Sequence, residues 1–578
     1  MKKVAIFAFA GLLLVAGVIY FGFYQHSGPF VPPKGTVLLR VSKETTIVTE
    51  PLLPCGNAID FFAVLDQLTS AHADSEENGF REIIRLVGRN IFDNISDEKW
   101  KILCEKLNLS PDEPPQYHYL PLHKFIEDAG HDNPWQMVIS LERREENITE
   151  HLELLERWGT EMYPAISAVA VALKKPLYVI PTTGRQDVMF EEFGLDEKDF
   201  DWPDFLTGMI VQRGIARMFS CRRLYRELTS EANNSIANWD DAISKFRVAR
   251  HMGQQPDGLS IAVALEKMAA YHAKETLKNE VFNADTLRQC LADLEALPDL
   301  LNVVAYWEYL RFGWLKNISE FPERGPAAFK LRTMPIPEDV SWFTWFTEED
   351  KRMYRQINRE IEKAIRLYRQ VPFDWNIVAE IMNAEFDELQ GKPTKQTIFQ
   401  SNLALRKIYD EMVVPEYPLD QVLALTEVTA WERLKQIADE DWWNVRRWRR
   451  MSIEERSVYL GKMNFAGYAT PPEVFAHQSR EAVIALEMLK TLIALQLHNV
   501  EHGNYPATLD ELVERGYLTE VPRDLFHKDL APLIYRIEPD GSHVLYSVGP
   551  NGIDDGGETD TSWRLGEHRR DDIVVRLD

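Results

Sequence analysis

Three short stretches of the chain carry residue types and spacings that could do chemistry. His498-Asn499-Val500-Glu501-His502 fits H-x-x-E-H, the inverted zinc-hydrolase pattern. Two histidines four apart on a helix can share one metal. The setting argues otherwise. The motif fills the last turn of an apolar helical run, directly before Gly503-Asn504-Tyr505-Pro506, where the chain must leave the helix. No distal Glu or His is evident as a third ligand, and a cationic imidazole near a helix C-terminus has a plain electrostatic reason. The reading is a helix end.

The second stretch is Trp442-Trp443-Asn444-Val445-Arg446-Arg447-Trp448-Arg449-Arg450, arginines interleaved with aromatics. That composition suits stacking on bases or a membrane interface. It equally suits a helix whose Trp side chains are core and whose arginines pair with Asp439, Glu440, Asp441, Glu454 and Glu455. A formal charge of -25 makes a non-specific polyanion binder improbable, since phosphate neutralisation needs excess Lys and Arg. No nucleic-acid partner is expected. The structural reading is preferred, with an anionic partner surface as its alternative.

The third is the loop Ser547-Val548-Gly549-Pro550-Asn551-Gly552-Ile553-Asp554-Asp555-Gly556-Gly557, with Asp571-Asp572 returning just before a last apolar stretch. Hard oxygen ligands on a glycine-rich loop can wrap a cation; an acidic surface loop has the same composition. No P-loop, G-x-G-x-x-G, G-x-S-x-G, H-E-x-x-H or EF-hand string occurs.

These stretches sit on a chain of 578 residues, long enough for about two to four domains with sizeable cores. Lys2 and Lys3 precede an uncharged apolar run, Val4–Tyr24, close to the roughly 20 residues that a bilayer core requires. Residues 1–26 read as a single-span anchor with the lysines cytoplasmic; a cleaved export signal is the alternative. Residues 27–56 are Pro-rich and extended, with a strand near Val37–Val41. Residues 57–205 turn helical: Leu152, Leu155, Trp158, Met162, Ile166 and Val169 share one face of Ile148–Leu173. Residues 206–336 read as an array of helical hairpins, and 337–470 as a further helical segment, capped at Thr347-Glu348-Glu349-Asp350. Cys55, Cys104, Cys221 and Cys290 lack metal or redox spacing. They are buried thiols or disulfides, with Cys55–Cys104 the better pair.

Residues 471–578 close the chain as a small α+β unit. A long apolar helix precedes three alternating strands: Leu533, Tyr535 and Ile537; Val544, Tyr546 and Val548; then Ile573, Val575 and Leu577. Pro539-Asp540-Gly541 supplies the hairpin turn. This order resembles the globular part of the major pseudopilin (pseudopilin G) of type II secretion systems. The family pattern of G-x-Y-P, a P-x-D-P-like turn, S-x-G-x-D-G and D-I falls here on Gly503, Tyr505, Pro506, Pro522, Asp524, Ser547, Gly549, Gly552, Asp572 and Ile573. Leu525 stands where the family has proline. The resemblance implies a Ca²⁺ site at Asn551 and Asp572, with Asp554 or Asp555 replacing the acid lost at Asn551. The N-terminus has no G-F-T-L-x-E leader, so a filament subunit is not implied. The whole chain also resembles envelope proteins of planctomycete-type bacteria.

The sequence reading is thus a mainly α protein: an N-terminal transmembrane helix, a helical-hairpin body, and a small C-terminal α+β domain with a long helix and a three-stranded antiparallel sheet. It is expected at the inner membrane, single-pass, with its bulk on the periplasmic side. The expected role is an envelope scaffold or interaction protein linked to type II secretion or pilus-like machinery. The alternative is an envelope hydrolase with a site scattered over the helical body.

Overall fold

Local capping explains where the first helices start. The computed structural model describes residues 32–52, 59–92, 95–134, 137–138, 152–183, 206–228, 235–253, 259–279, 281–298, 311, 315–316, 318–319, 367–390, 445–469, 471–527, 529–549, 552–557 and 573–577. Asp60, Asn78 and Ser96 each accept a first-turn amide, opening α1 (Phe61–Ser70), α2 (Gly79–Val87) and α3 (Asp97–Lys106). Such a cap is worth about 1 kcal/mol. Asn78 does more. Fully buried, it donates to the carbonyls of Ala73 (2.8 Å) and Val179 (2.9 Å) and accepts from the amides of Phe80 and Val179. Beside it, a Cβ on Gly79 would lie 2.5 Å from the Ala172 carbonyl oxygen, so α2 seats against the end of a later helix only with glycine there.

Next come α4 (Leu122–Asp128), α5 (Leu152–Ala172), α6 (Leu206–Leu228), α7 (Ser235–Gly253), α8 (Leu259–Asn279) and α9 (Ala284–Glu295). The face read in α5 is the buried one: Leu155, Trp158, Met162, Ile166 and Val169 lie in the core, with Leu152 half-buried. Each element packs on the next in turn: α2 on α5, α5 on α6, α6 on α7, α7 on α8. The stack then receives the long helix α13 (Pro471–His502), which lies against α8 and α9. Between these come α10 (Trp375–Gln390), α11 (Val445–Arg450) and α12 (Ile453–Ala469); α14 (Asp510–Glu514) follows α13. The expected anchor, Cys55, the cap at Thr347 and Trp442-Trp443 lie outside the described residues. The strand expected near Val37–Val41 is a single bridge, Val37 to Asp374.

Three apolar clusters hold these elements. One joins α2–α6 around Phe80, Trp158 and Phe219. A second joins α7–α9, α13 and the sheet around Phe246, Leu287, Ile493 and Leu545. The third gathers α1, α10, α11 and α12 around Phe373, Trp375 and Trp448. Among the described residues one helical stretch, Arg480–His502, is long and apolar enough to cross a membrane, and 67% of its most apolar window is buried inside the protein. It is the spine of the second cluster. Cys104, Cys221 and Cys290 are buried, and burial pushes the Cys104 thiol up to about 11, leaving little reactive thiolate.

The sheet has the order β1 (Ile534–Ile537), β2 (His543–Ser547), β3 (Ile573–Leu577), antiparallel throughout. Asp540 makes the turn by accepting from both the amide and hydroxyl of Ser542, and Gly541 takes φ +88°. In β2 the residue facing the helices is Leu545, paired across to Tyr535 and Val575. Val544 and Tyr546 face the opposite way and are nevertheless buried, because a loop folds over that side. The core beneath the sheet is shared: Ala270 and Leu277 of α8 and Leu287 of α9 join α13 in lining it.

Candidate functional site

The covering loop is the acidic glycine stretch. Gly557 closes on the ring of Tyr546 and the side chain of Val544. The Tyr546 hydroxyl donates to Asp554 Oδ1 (3.0 Å), which also accepts the Gly556 amide (2.9 Å). Two guanidinium groups from the outer strands finish the closure: Arg536 donates to the Gly556 carbonyl (2.6 Å) and Arg576 to the Gly557 carbonyl (2.9 Å). Arg536 also lies over the Tyr546 ring, 5.4 Å from its centroid, in cation–π range.

Of the candidate cation ligands, Asp554 and Asp555 stand side by side and exposed on this loop. Asn551 and Asp572 lie outside the described residues. Ile573, next in the chain to Asp572, pairs with Ser547 where the loop begins. The two placed carboxylates fit a hard cation. The carbonyls of Gly556 and Gly557 are already engaged by arginine, so main-chain ligands would come from elsewhere in the loop. Among the described residues no three His, Cys, Asp or Glu side chains converge on one point.

Asp524, singled out by the resemblance, is buried and holds the foot of the loop. It accepts from the Phe526 amide (2.9 Å), the Ser547 hydroxyl (2.8 Å) and the Val548 amide (2.7 Å). A buried carboxylate is tolerable when its lone pairs are so satisfied. Leu525, in the place of the family proline, fills the core.

The H-x-x-E-H residues end α13 structurally. His498 is buried and its Nδ1–H donates to the Asn504 carbonyl (2.8 Å), across the helix stop. Its Nε2 lies 4.0 Å from Glu511. Glu501 accepts from Tyr517 and from Arg288 of α9, and His502 Nε2 lies 3.3 Å from the Tyr517 hydroxyl. In the aromatic–arginine stretch, Trp448 is buried edge-on to Phe373 (5.5 Å) and Tyr459 (5.4 Å). Arg449 donates to the Gln370 carbonyl (3.2 Å).

The helical body contains further charged constellations that the sequence reading missed. Asp241 of α7, with its carboxylate fully buried, receives Arg222 and Arg226 of α6 (2.7 Å from Arg226), and Arg222 reaches on to Ser167 of α5 (3.0 Å). Arg250 of α7 pairs with Glu266 of α8 and donates to the Pro298 carbonyl (3.0 Å). Burial pushes the Glu266 carboxyl up, and the Arg250 guanidinium opposes that. Asp66, Lys106 and Thr182 also meet: Lys106 Nζ lies 3.2 Å from the Thr182 hydroxyl, whose proton goes to Asp66. Thr182 itself is only 1% exposed, while the Lys106 and Asp66 side chains are partly exposed. Acidic and basic partners i to i+4 on one helix are legible in sequence; these pairs span different helices and are not.

An open cleft of about 530 Å³ lies between the end of α2 and the end of α5. Apolar side chains (Leu86, Ala168, Val171) and charged ones (Glu82, Arg85, Lys174, Lys175) line it together. Comparison with known proteins finds no family model, no curated protein and no solved structure that matches this chain.

Proposed function

We propose that the chain is a scaffold or interaction protein of the cell envelope, held at the inner membrane by Val4–Tyr24 with its bulk on the periplasmic side. Its C-terminal unit is a pseudopilin-like domain linked to secretion or pilus-like machinery. The observation that supports this reading is where the reactive residue types go. His498, Glu501, Asp241, Glu266 and Asp524 are each engaged in holding one element to another. A rigid stack of helices with an open cleft and a loop-capped sheet offers surfaces for partners. The hydrolase alternative draws on the meeting of Asp66, Lys106 and Thr182, and the burial of that threonine weighs against it. The C-terminal loop, through Asn551, Asp554, Asp555 and Asp572, takes one Ca²⁺ that adds rigidity to the interaction domain.

Cross-linking in intact membranes, followed by identification of what is captured, tests the reading. The expected products join this chain to envelope assembly proteins, and the full-length chain stays with membranes after a high-salt wash. A mature chain beginning near residue 30 and recovered in the soluble fraction would remove the anchor.

A further inference from the structure

Residues 36–48 lie along α10 in the helix's own direction, and they are fastened there in two unlike ways. The first five, Thr36 to Arg40, are held through their main chain. The Val37 amide donates to the Phe373 carbonyl (2.9 Å), and the Trp375 amide donates to the Val37 carbonyl (3.0 Å). Asn376 continues the pairing with its side chain: Oδ1 accepts the Arg40 amide (2.7 Å) and Nδ2 donates to the Leu38 carbonyl (3.1 Å). Leu38 and Arg40 are exposed, and Leu39 is half-buried. The platform beneath has its own support, since the Asp374 amide donates to the buried Ser457 hydroxyl of α12 (2.9 Å).

The residues that follow are seated instead. Thr45 and Thr46 are buried, and the Thr46 amide closes a turn on the Ser42 carbonyl (2.9 Å). Asn383, itself buried, donates to the carbonyls of Glu44 (2.8 Å) and Thr45 (3.0 Å). The Thr45 hydroxyl reaches back to the Arg40 carbonyl, which puts the pivot between the two parts at Arg40. At the far end of the first part, the Thr36 hydroxyl oxygen is buried with no hydrogen-bond partner among the described residues. Closing this part against α10 therefore takes a hydroxyl out of water and returns nothing for it. Main-chain bonds at a rim are readily exchanged for bonds to water, so Thr36 to Arg40 lie at the low end of the local-opening scale.

We propose that Thr36 to Arg40 form a releasable arm, which peels from α10 about Arg40 while the turn at 42–46 and the helices stay in place. Five extended residues at about 3.4 Å each add roughly 17 Å of free chain between the proposed span and the helical body. The tether role rests on the anchor reading. It deepens the scaffold reading, because the body gains a reach that changes without any rearrangement of its core.

Hydrogen exchange on the full chain in detergent tests the arm. Amides of residues 37–40 should exchange well before those of α10 and α12. Asn376→Ala removes two of the arm's bonds and should speed that exchange by about tenfold. Thr36→Val keeps the shape without the orphaned hydroxyl, and should slow it several-fold. Neither variant should shift the melting curve, whereas Asn383→Ala, which unseats the buried turn, should lower it. Exchange of residues 37–40 in step with α12 in every variant overturns the arm. So does an unchanged rate in Asn376→Ala, or a rate in Thr36→Val no slower than wild type. A mature chain beginning near residue 30, with both variant effects intact, would overturn the anchor reading and the tether while leaving the arm itself standing.

Discussion

Between α6 and α8 buried ion pairs cross the interior, whereas around the C-terminal sheet, the buried Asp524 apart, the charged contacts lie at the rim. Asp241 is enclosed with Arg222 and Arg226, each side chain at most 4% exposed. Arg536, by contrast, holds the glycine loop from a position 41% exposed. The same functional groups meet different dielectric surroundings. An interior pair is costly to desolvate and far more costly to break, because the orphaned partner stays buried. A rim contact exchanges with water at little loss. Packed on the apolar clusters, α6, α7 and α8 are thus joined by ion pairs that are costly to break, and the sheet holds its loop by contacts that can open.

The sharpest break of this contrast is Asp241→Ala, which leaves two guanidinium groups buried without their carboxylate. A loss of about 3–5 kcal/mol is expected, read as a lower midpoint in urea denaturation. Replacing Asp241, Arg222 and Arg226 together by Leu, Met and Met should restore most of that stability, since the cost lies in the unpaired charge. Should the single variant melt like the wild type, the interior pairing between α6 and α7 is not costly to break.

His251 gives the next effect. It stacks on Tyr178 (4.2 Å between centroids) and donates from Nε2 to the Leu173 carbonyl (3.0 Å). Burial, foremost, with the nearby Arg247 charge adding, holds its pKa down to about 4. Unfolded, the group titrates near about 6.5. As pH falls the unfolded chain takes the proton first, so the neutral histidine's contribution is whole above about pH 6.5 and is lost between there and 4. The loss is at most about 3 kcal/mol. His251→Gln keeps a donor without the titration, so wild type should lose more stability between pH 7 and 5 than the variant. Parallel curves would place the acid sensitivity elsewhere.

What the sequence made legible follows from range. Period 3.6 in α5 and the Asp540-Gly541 turn are local, and both appear as read. In β2 the alternating residues Val544 and Tyr546 are buried, and Leu545 between them is buried too, against the helices. Alternation cannot choose a face when a loop buries the second one as well. The pairs Arg222–Asp241 and Arg250–Glu266 join separate helices, so no spacing announces them. His498 was readable as a helix end because its acceptor, Asn504, is only six residues on.

Calcium sharpens the rim side of the comparison. Sites of this type bind at about 10⁻⁴ to 10⁻³ M. If the proposed ion binds, linkage at about millimolar calcium and the tighter of those values would stabilise the native chain by roughly 1.4 kcal/mol. Full-length protein should melt higher with calcium than with chelator, and Asp572→Ala should remove the difference. Identical curves in all four samples would reduce Asn551, Asp554, Asp555 and Asp572 to an acidic surface turn.

The smallest effect on global stability, and the most local, belongs to the two arginines. Arg536 and Arg576 hold the carbonyls of Gly556 and Gly557, and with Tyr546–Asp554 they close the loop over Val544. At an exposed rim each contact is worth about 1 kcal/mol or less. Arg536→Gln with Arg576→Gln should therefore shift global melting little. Loop opening is a separate event whose free energy is small to begin with, so the same loss is a large fraction of it. Hydrogen exchange at residues 552–557 should accelerate several-fold in the double variant while β1 and β2 keep their protection. In wild type the loop amides should stay protected under chelator, because the protein supplies its own cations; in the double variant, protection should depend on calcium. Rapid exchange of the wild-type loop on removing calcium would show that the ion, not the arginines, closes it. The contrast between interior pairs that are costly to break and rim contacts that merely latch would then need a metal at the rim.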